Sequence, residues 1–205
     1  MEEEQEEPEN AEQRLSIMDR LLNEDHQNLP EATLISAWNA VLDLESFVIE
    51  GQPDETHQLV HVLLSAVSRQ IDDHPDKQQA IARALIVCKI LCKREENVMQ
   101  ILEFGLVPKL TWVAVEQSSQ VNLKYLSTQC LATLAKHSSA HFALIASGFL
   151  EDCTFFLRID DLPTNREEVG IVFNCIFFLC RIAGKQESGK GAEIIQQNIH
   201  VNSID

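Results

Sequence analysis

The stretch LCKREENVMQILEFGLV, residues 91–107, is repeated in LAKHSSAHFALIASGFL, residues 134–150, after a shift of 43 residues. The shift superposes a leucine, a lysine and a glycine of each copy: Leu91 on Leu134, Lys93 on Lys136, and Gly105 on Gly148. A third copy of the first half, LCRIAG, begins at Leu179 after a shift of 45 residues. Helical units that recur every 40 to 47 residues or so are typical of superhelical repeat arrays. The stretch therefore predicts an all-α repeat protein.

Helical periodicity of apolar residues extends over most of the chain, and short polar segments interrupt it. The predicted helices cover residues 32–50, 57–70, 76–93, 97–104, 106–116, 121–136, 140–147, 149–158 and 165–183. No segment keeps the alternation of apolar and polar residues that a half-buried strand would show. Only Pro108 lies inside these spans, at a helix start where the missing N–H costs little. These observations favour an all-α fold class.

The chain divides into four predicted segments. They are an acidic, disordered tail (residues 1–11), an amphipathic capping helix (12–27), a repeat array (28–183), and a loop with a partial helix (184–205). The last segment carries Ile194, Ile195 and Ile199 at helical spacing. An array that ends there exposes an apolar flank. Either this helix caps the flank, or a partner or a second copy of the chain covers it by self-association.

Charge and composition narrow the possible partners and the compartment. The 205 residues are 45% hydrophobic and carry a formal charge of −16, with six of the negative charges in the first ten residues. Such a charge repels nucleic acid and anionic membranes, so we expect neither as a partner. The six cysteines lie in or near apolar helical runs, which predicts reduced core thiols. We therefore expect a cytoplasmic protein, with the nucleus as the alternative location.

The order of the helices resembles the armadillo repeat family. Its repeat has a short helix ending in glycine, a second helix, and a long third helix ending in an apolar-small-x-apolar-Ala signature. Here ENVMQILEFG, LVPKLTWVAVEQ and VNLKYLSTQCLATLAKH supply the three parts, and SAHFALIASG, FLEDCTFFLRI and REEVGIVFNCIFFLCRIAG supply them again. The resemblance implies a right-handed α-α superhelix of armadillo-like repeats. It also implies a concave groove, lined by the third helices, that binds an extended peptide or a folded protein.

Gly105 and Gly148 stand where one helix must stop and the next must begin at once. A left-handed helix stop favours a residue without a Cβ atom. We therefore expect both glycines to be structural turns.

The resemblance places candidate partner-binding residues on the third helices. In importin-α relatives, Trp and Asn one turn apart hold basic nuclear-localisation peptides. The equivalent pairs here are Ile86 and Ile90, Gln129 and Thr133, and Asn174 and Phe178. Because none of these pairs is Trp with Asn, importin-type recognition is disfavoured.

A ladder of cations lies near the ends of the same helices and comprises Lys89, Lys93, Lys136 and Arg181. It resembles the way in which β-catenin-like grooves hold acidic extended partners. The alternative is that each cation only stabilises its helix C-terminus through the helix dipole.

Signals for catalysis and metal binding are weak. The segment GKQESGKG, residues 184–191, is one residue short of a phosphate-binding loop, because Gly191 has no hydroxyl for magnesium. The pairs His57 and His61, His137 and His141, and Cys88 and Cys92 lack further ligands at a motif spacing. We expect no catalytic residue, metal site or cofactor.

The sequence thus predicts a non-catalytic scaffold or adaptor. It would bind a protein partner through the groove or the uncovered C-terminal end. The alternative is a regulator of small GTPases of the dissociation-stimulator type, and a nucleotide-binding enzyme is the least favoured class.

Overall fold

The computed structural model describes residues 29–43, 53–73 (side chains from residue 59), 75–116, 118–157 and 163–184. The regular secondary structure of these residues is helical. The α-helices are α1 (Glu31–Asp43), α2 (Pro53–Asp73), α3 (Gln78–Leu91), α4 (Val98–Glu103), α5 (Leu106–Val115), α6 (Val121–Leu134), α7 (His141–Ala146), α8 (Phe149–Phe156) and α9 (Arg166–Gly184). Two 3₁₀ turns, Glu95–Asn97 and Ser138–Ala140, precede α4 and α7. The chain forms two compact units, residues 1–90 and 91–205.

The helices predicted after residue 56 are all present, and the largest difference in their bounds is at α2. This helix begins at Pro53, four residues before the predicted start. Proline suits the first position of a helix because its fixed φ is helical and its N–H is not needed. The predicted tail, the predicted capping helix, residues 44–50 of the first long helix, and residues 185–205 lie outside the described residues.

The first unit has a core built around Trp38 of α1. Trp38 and Leu34 are fully buried, together with Leu64 and Val67 of α2. The indole Nε1–H of Trp38 donates a hydrogen bond of 3.2 Å to Oε1 of Gln70, so the one polar atom of the indole is satisfied inside the core. Leu34, Trp38 and Val41 are spaced four and three residues apart and form the buried side of α1.

The second unit contains two consecutive three-helix repeats. The first comprises α4, α5 and α6, and the second comprises α7, α8 and α9. The 3₁₀ turns, α4 and α7, and the starts of α5 and α8 are each separated by 43 residues, which is the shift found in the sequence. The third helices pack against each other and against the second helices of their own repeats.

Polar side chains hold the ends of consecutive helices together within this unit. Nδ2 of Asn97 donates to the carbonyl oxygen of Leu91 at 3.0 Å, and Nε2 of His141 lies 2.9 Å from that of Ala135. Both carbonyls belong to the last turn of a helix, where no intrahelical donor is available. Because a carbonyl only accepts hydrogen bonds, Nε2 of His141 carries its proton.

Gly105 and Gly148 adopt the left-handed backbone conformation expected of them, with φ of 61° and 82° respectively. Each lies between the first and second helices of a repeat, immediately before α5 or α8. No other described residue has a positive φ.

We expect Gly105→Ala to lower the free energy of unfolding by about 1 kcal/mol, because a Cβ atom is strained in the left-handed region. Urea denaturation of the whole chain measures the change. Gly184→Ala is the matched control, since Gly184 also has open space around it but no positive φ. An equal loss in both variants would contradict the backbone argument.

Side-chain hydrogen bonds cap the N-terminus of α9, the last described helix. Oδ1 of Asn165 accepts a hydrogen bond from the backbone N–H of Glu168, while the Glu168 carboxylate accepts from the N–H and hydroxyl of Thr164. These hydrogen bonds, above all that from the Thr164 backbone, lower the pKa of the Glu168 carboxyl. The charge also lies in the first turn, where the helix dipole favours an anion.

Among the described residues, no single helix has the length and apolar character needed to cross a membrane. The segments Glu95–Glu103 and Leu106–Val115 meet that criterion only as a pair, and they are bent by 81°.

Candidate functional site

One side of α6 and one side of α9, both in the second unit, carry aromatic and cationic side chains. We call these two sides the α6–α9 face, which comprises Gln129, Thr133, Lys136, Phe173, Phe177 and Arg181. The residues from α6 and its C-terminal extension recur at spacings of four and three, and those from α9 at spacings of four, so each set lies along one side of its helix. Lys136, Phe173 and Arg181 are exposed, and the other three are half-buried.

Phe177 holds two cations at one end of the α6–α9 face. Nζ of Lys136 lies 5.6 Å from the centre of the Phe177 ring, and Cζ of Arg181 lies 4.9 Å from it. Both distances are within the range of cation–π attraction. The ring therefore positions two positive charges that come from different repeats.

Tyr125 and Gly170 set how closely α6 and α9 approach beneath this face. A Cβ atom at position 170 would lie 2.4 Å from Cε2 of Tyr125, so the tyrosine ring occupies the space that the glycine leaves. The Tyr125 hydroxyl accepts a hydrogen bond of 2.6 Å from Nε2 of Gln129. This contact orients Gln129 on the face.

Four of the candidate residues named from the sequence lie on the α6–α9 face: Gln129, Thr133, Lys136 and Arg181. Lys93 is exposed just after α3, and Lys89 is half-buried on α3 in the first unit. The structure thus joins two members of the predicted cation ladder through one aromatic ring.

Asn174 and Phe178 do not lie on the surface, which corrects their placement among the partner-binding residues. Asn174 is 9% exposed, and its Nδ2 donates a buried hydrogen bond of 3.0 Å to Oγ1 of Thr128. Phe178 is fully buried against Phe149, with ring centres 4.9 Å apart in an edge-to-face arrangement. Asn174 therefore joins the second repeat to the first, and Phe178 holds α9 on α8 within the second repeat.

The surface positions on α9 are instead Phe173 and Phe177, which follow Gln129 and Thr133 by 44 residues. The sequence alignment superposed Arg181 on Lys136, a shift of 45 residues, and this placed the pair on α9 one position too far along the helix. One position turns a helical side chain by about 100°. Asn174 is the polar residue inside the run FNCIFFLC. The hydroxyl that Asn174 contacts belongs to Thr128 in the other repeat, and no pattern near Asn174 in the sequence indicates this contact.

The histidines and cysteines have structural surroundings where they are described. Nε2 of His137 lies 3.0 Å from the carbonyl oxygen of Cys92, and the His141 ring also faces a carbonyl. The side chain of His57 lies outside the described residues, and His61 is exposed. The predicted core placement is wrong for Cys180, which is exposed on α9, whereas the other five cysteines are buried, and none of the six forms a disulfide.

A hydrogen bond with Cys175, followed by burial, raises the pKa of the Cys153 thiol. A raised pKa suppresses the thiolate form that acts as a nucleophile or metal ligand. This buried thiol therefore has the properties of a packing residue.

No family model matches the chain, and no curated protein matches it significantly. Solved structures do match. A designed armadillo repeat protein in complex with a (KR)4 peptide has a TM-score of 0.65 at 15% identity, over 89% of this chain and 69% of the other. An engineered protein from a structural genomics consortium has a TM-score of 0.68 at 16% identity, over 88% of this chain and 67% of the other.

At such low identity these neighbours establish the fold alone. The all-α fold class predicted from the sequence is confirmed, and the chain has an armadillo-like repeat fold.

Proposed function

We propose that this chain is a non-catalytic, armadillo-type scaffold or adaptor that binds an extended segment of a protein partner on the α6–α9 face. The segment it binds carries acidic side chains next to large apolar ones. The observation that carries the proposal is the Phe177 ring with Lys136 and Arg181 held against it.

The composition of the α6–α9 face supports an acidic and apolar ligand. None of its six residues is acidic, although the whole chain has a formal charge of −16. Phe173 is 66% exposed, and an exposed aromatic side chain beside fixed cations offers both an apolar contact and a charge contact. A peptide with only one of these features would use only part of the face.

The designed armadillo neighbour is in complex with a peptide, which supports an extended peptide as the class of ligand. That peptide, (KR)4, is basic. The cations Lys136 and Arg181 would repel a basic ligand, and like charges brought together in an interface cost several kcal/mol. The face of this chain therefore favours a ligand of the opposite sign.

Lys136 and Arg181 also lie near the C-termini of α6 and α9, where any cation stabilises the helix dipole by about 0.3–1 kcal/mol. This second role affects stability alone, and a binding ligand is not needed to explain it. Charge reversal separates the two roles, because only a binding role makes the affinity for an acidic peptide fall far more than the stability.

We expect the double variant Lys136→Glu with Arg181→Glu to bind a labelled peptide of alternating Glu and Leu at least about tenfold more weakly than the unaltered chain. The reason is that two attractive contacts become repulsive. Fluorescence anisotropy at two salt concentrations measures the affinity, and salt should weaken binding to the unaltered chain more than to the variant.

The matched control reverses Arg83 and Lys109, which changes the net charge by the same amount at positions outside the α6–α9 face. It should bind nearly as well as the unaltered chain. If the control loses as much affinity as the test variant, the overall charge and not this face determines binding. If neither variant loses affinity, the proposed site is wrong.

A further inference from the structure

The outer side of α9 carries an apolar stripe that no described residue covers. It consists of Val169, Phe173, Ile176 and Cys180, and we call it the α9 stripe. The three apolar side chains are 53%, 66% and 48% exposed, and Cys180 is exposed too. Spacings of four, three and four residues place all of them on one side of the helix.

The opposite side of α9 is buried, in contrast to the α9 stripe. Ile171, Cys175, Phe178 and Ile182 are almost completely buried there. A helix with apolar residues on two sides is usually covered on both. Burial of apolar side chains of this size is favourable. The α9 stripe is therefore a surface that favours an apolar occupant.

We propose that residues 192–201 of the same chain, AEIIQQNIHV, pack against the α9 stripe. This segment has Ile194, Ile195 and Ile199 at helical spacing, and it has one charged residue, Glu193. Its remaining side chains between the isoleucines are uncharged amides. A helix of this composition presents one apolar side and one polar side, which matches an uncharged apolar stripe exposed to water.

The connection between Gly184 and Ile194 is long enough to allow this contact and short enough to favour it. Nine residues separate Gly184, the end of α9, from Ile194, and the ten steps between the two Cα atoms span at most about 36 Å. The α9 stripe extends over twelve residues of helix, or eleven helical rises of about 16 Å in all. The segment can therefore return along the whole stripe. A short connection also gives an effective concentration of about millimolar, which a separate partner rarely reaches.

Occupation by residues 192–201 would cover Phe173, which also belongs to the α6–α9 face. The inference itself does not depend on the proposed function, because its test needs no peptide ligand.

The test uses the full chain and the reaction of Cys180 with iodoacetamide, followed by peptide mass spectrometry. If the segment covers the stripe, Cys180 should react about tenfold more slowly in the unaltered chain than in the variant Ile194→Glu, Ile195→Glu, Ile199→Glu. The matched control, Gln196→Glu, Gln197→Glu, His200→Glu, adds charge to the polar positions and should keep Cys180 protected. The five buried cysteines report whether each variant remains folded.

Equal reaction rates in the unaltered chain and the isoleucine variant would overturn the proposal. Protection that increases with protein concentration would also overturn it, because a second copy and not the tethered segment would then cover the stripe. Hydrogen exchange gives an independent measurement if the isoleucine variant fails to fold. Slow exchange of amides 192–201 in the unaltered chain is expected, and exchange at the rate of an unstructured peptide would refute the docked helix.

Discussion

Phe178→Ala should lower the free energy of unfolding by about 3–5 kcal/mol, the range for removing a fully buried aromatic ring. Phe178 has no exposed surface, and its ring packs edge-to-face on the fully buried Phe149 at 4.9 Å. The substitution removes this contact and leaves a cavity between α8 and α9. Urea denaturation should show a lower midpoint with an unchanged slope, since the native fold stays compact.

The control for this prediction is Phe142→Ala in the same repeat. Phe142 is 84% exposed on α7, so its removal should change the free energy of unfolding by no more than about 0.5 kcal/mol. Similar losses in the two variants would mean that Phe178 does not belong to the core.

Gly170→Ala should destabilise the chain by about 2 kcal/mol, although alanine is normally the better helix residue. The added Cβ atom would lie 2.4 Å from Cε2 and 2.7 Å from Cδ2 of Tyr125. The tyrosine ring must then move and lose its hydrogen bond from Gln129. Overpacking of this kind costs about 1–3 kcal/mol, which exceeds the gain of up to about 1 kcal/mol in helix propensity.

A double-mutant cycle with Tyr125→Ala tests this explanation through a change of sign. Once the ring is absent, Gly170→Ala should stabilise the chain by about 0.5–1 kcal/mol, because only the helix propensity remains. Thermal or urea unfolding of the four proteins measures the coupling. A destabilising effect of Gly170→Ala in both backgrounds would show that the ring is not the obstacle.

The repeat architecture was predictable because it depends on local patterns that recur in the chain. The glycine turns, the apolar periodicity and the shift of 43 residues together determine the helices from α4 to α8 to within a few residues. The start of α2 was less predictable, since a proline can precede a helix or open it. The sequence offered no rule to choose between these two roles for Pro53.

The candidate site was only partly predictable because it depends on which side of α9 faces solvent. Almost every residue from Ile171 to Leu179 is apolar, so hydrophobicity alone does not distinguish the buried side from the exposed side. The buried position of Asn174 is explained by Thr128 on α6, a partner 46 residues away. Conversely, Phe177 was missed because Lys136, one of the two cations on its ring, comes from the other repeat and has no local relation to it in the sequence.

The glycine at position 170 also affects how many residues a bound peptide would advance between its contacts with the two repeats. Packed helices lie about 8–10 Å apart, and the absence of a side chain at Gly170 favours the shorter distance. An extended peptide advances about 3.3 Å per residue. A strand-like ligand that crosses from Gln129 on α6 to Phe173 on α9 would therefore advance by between two and three residues, so its anchor side chains would need that spacing to contact both helices.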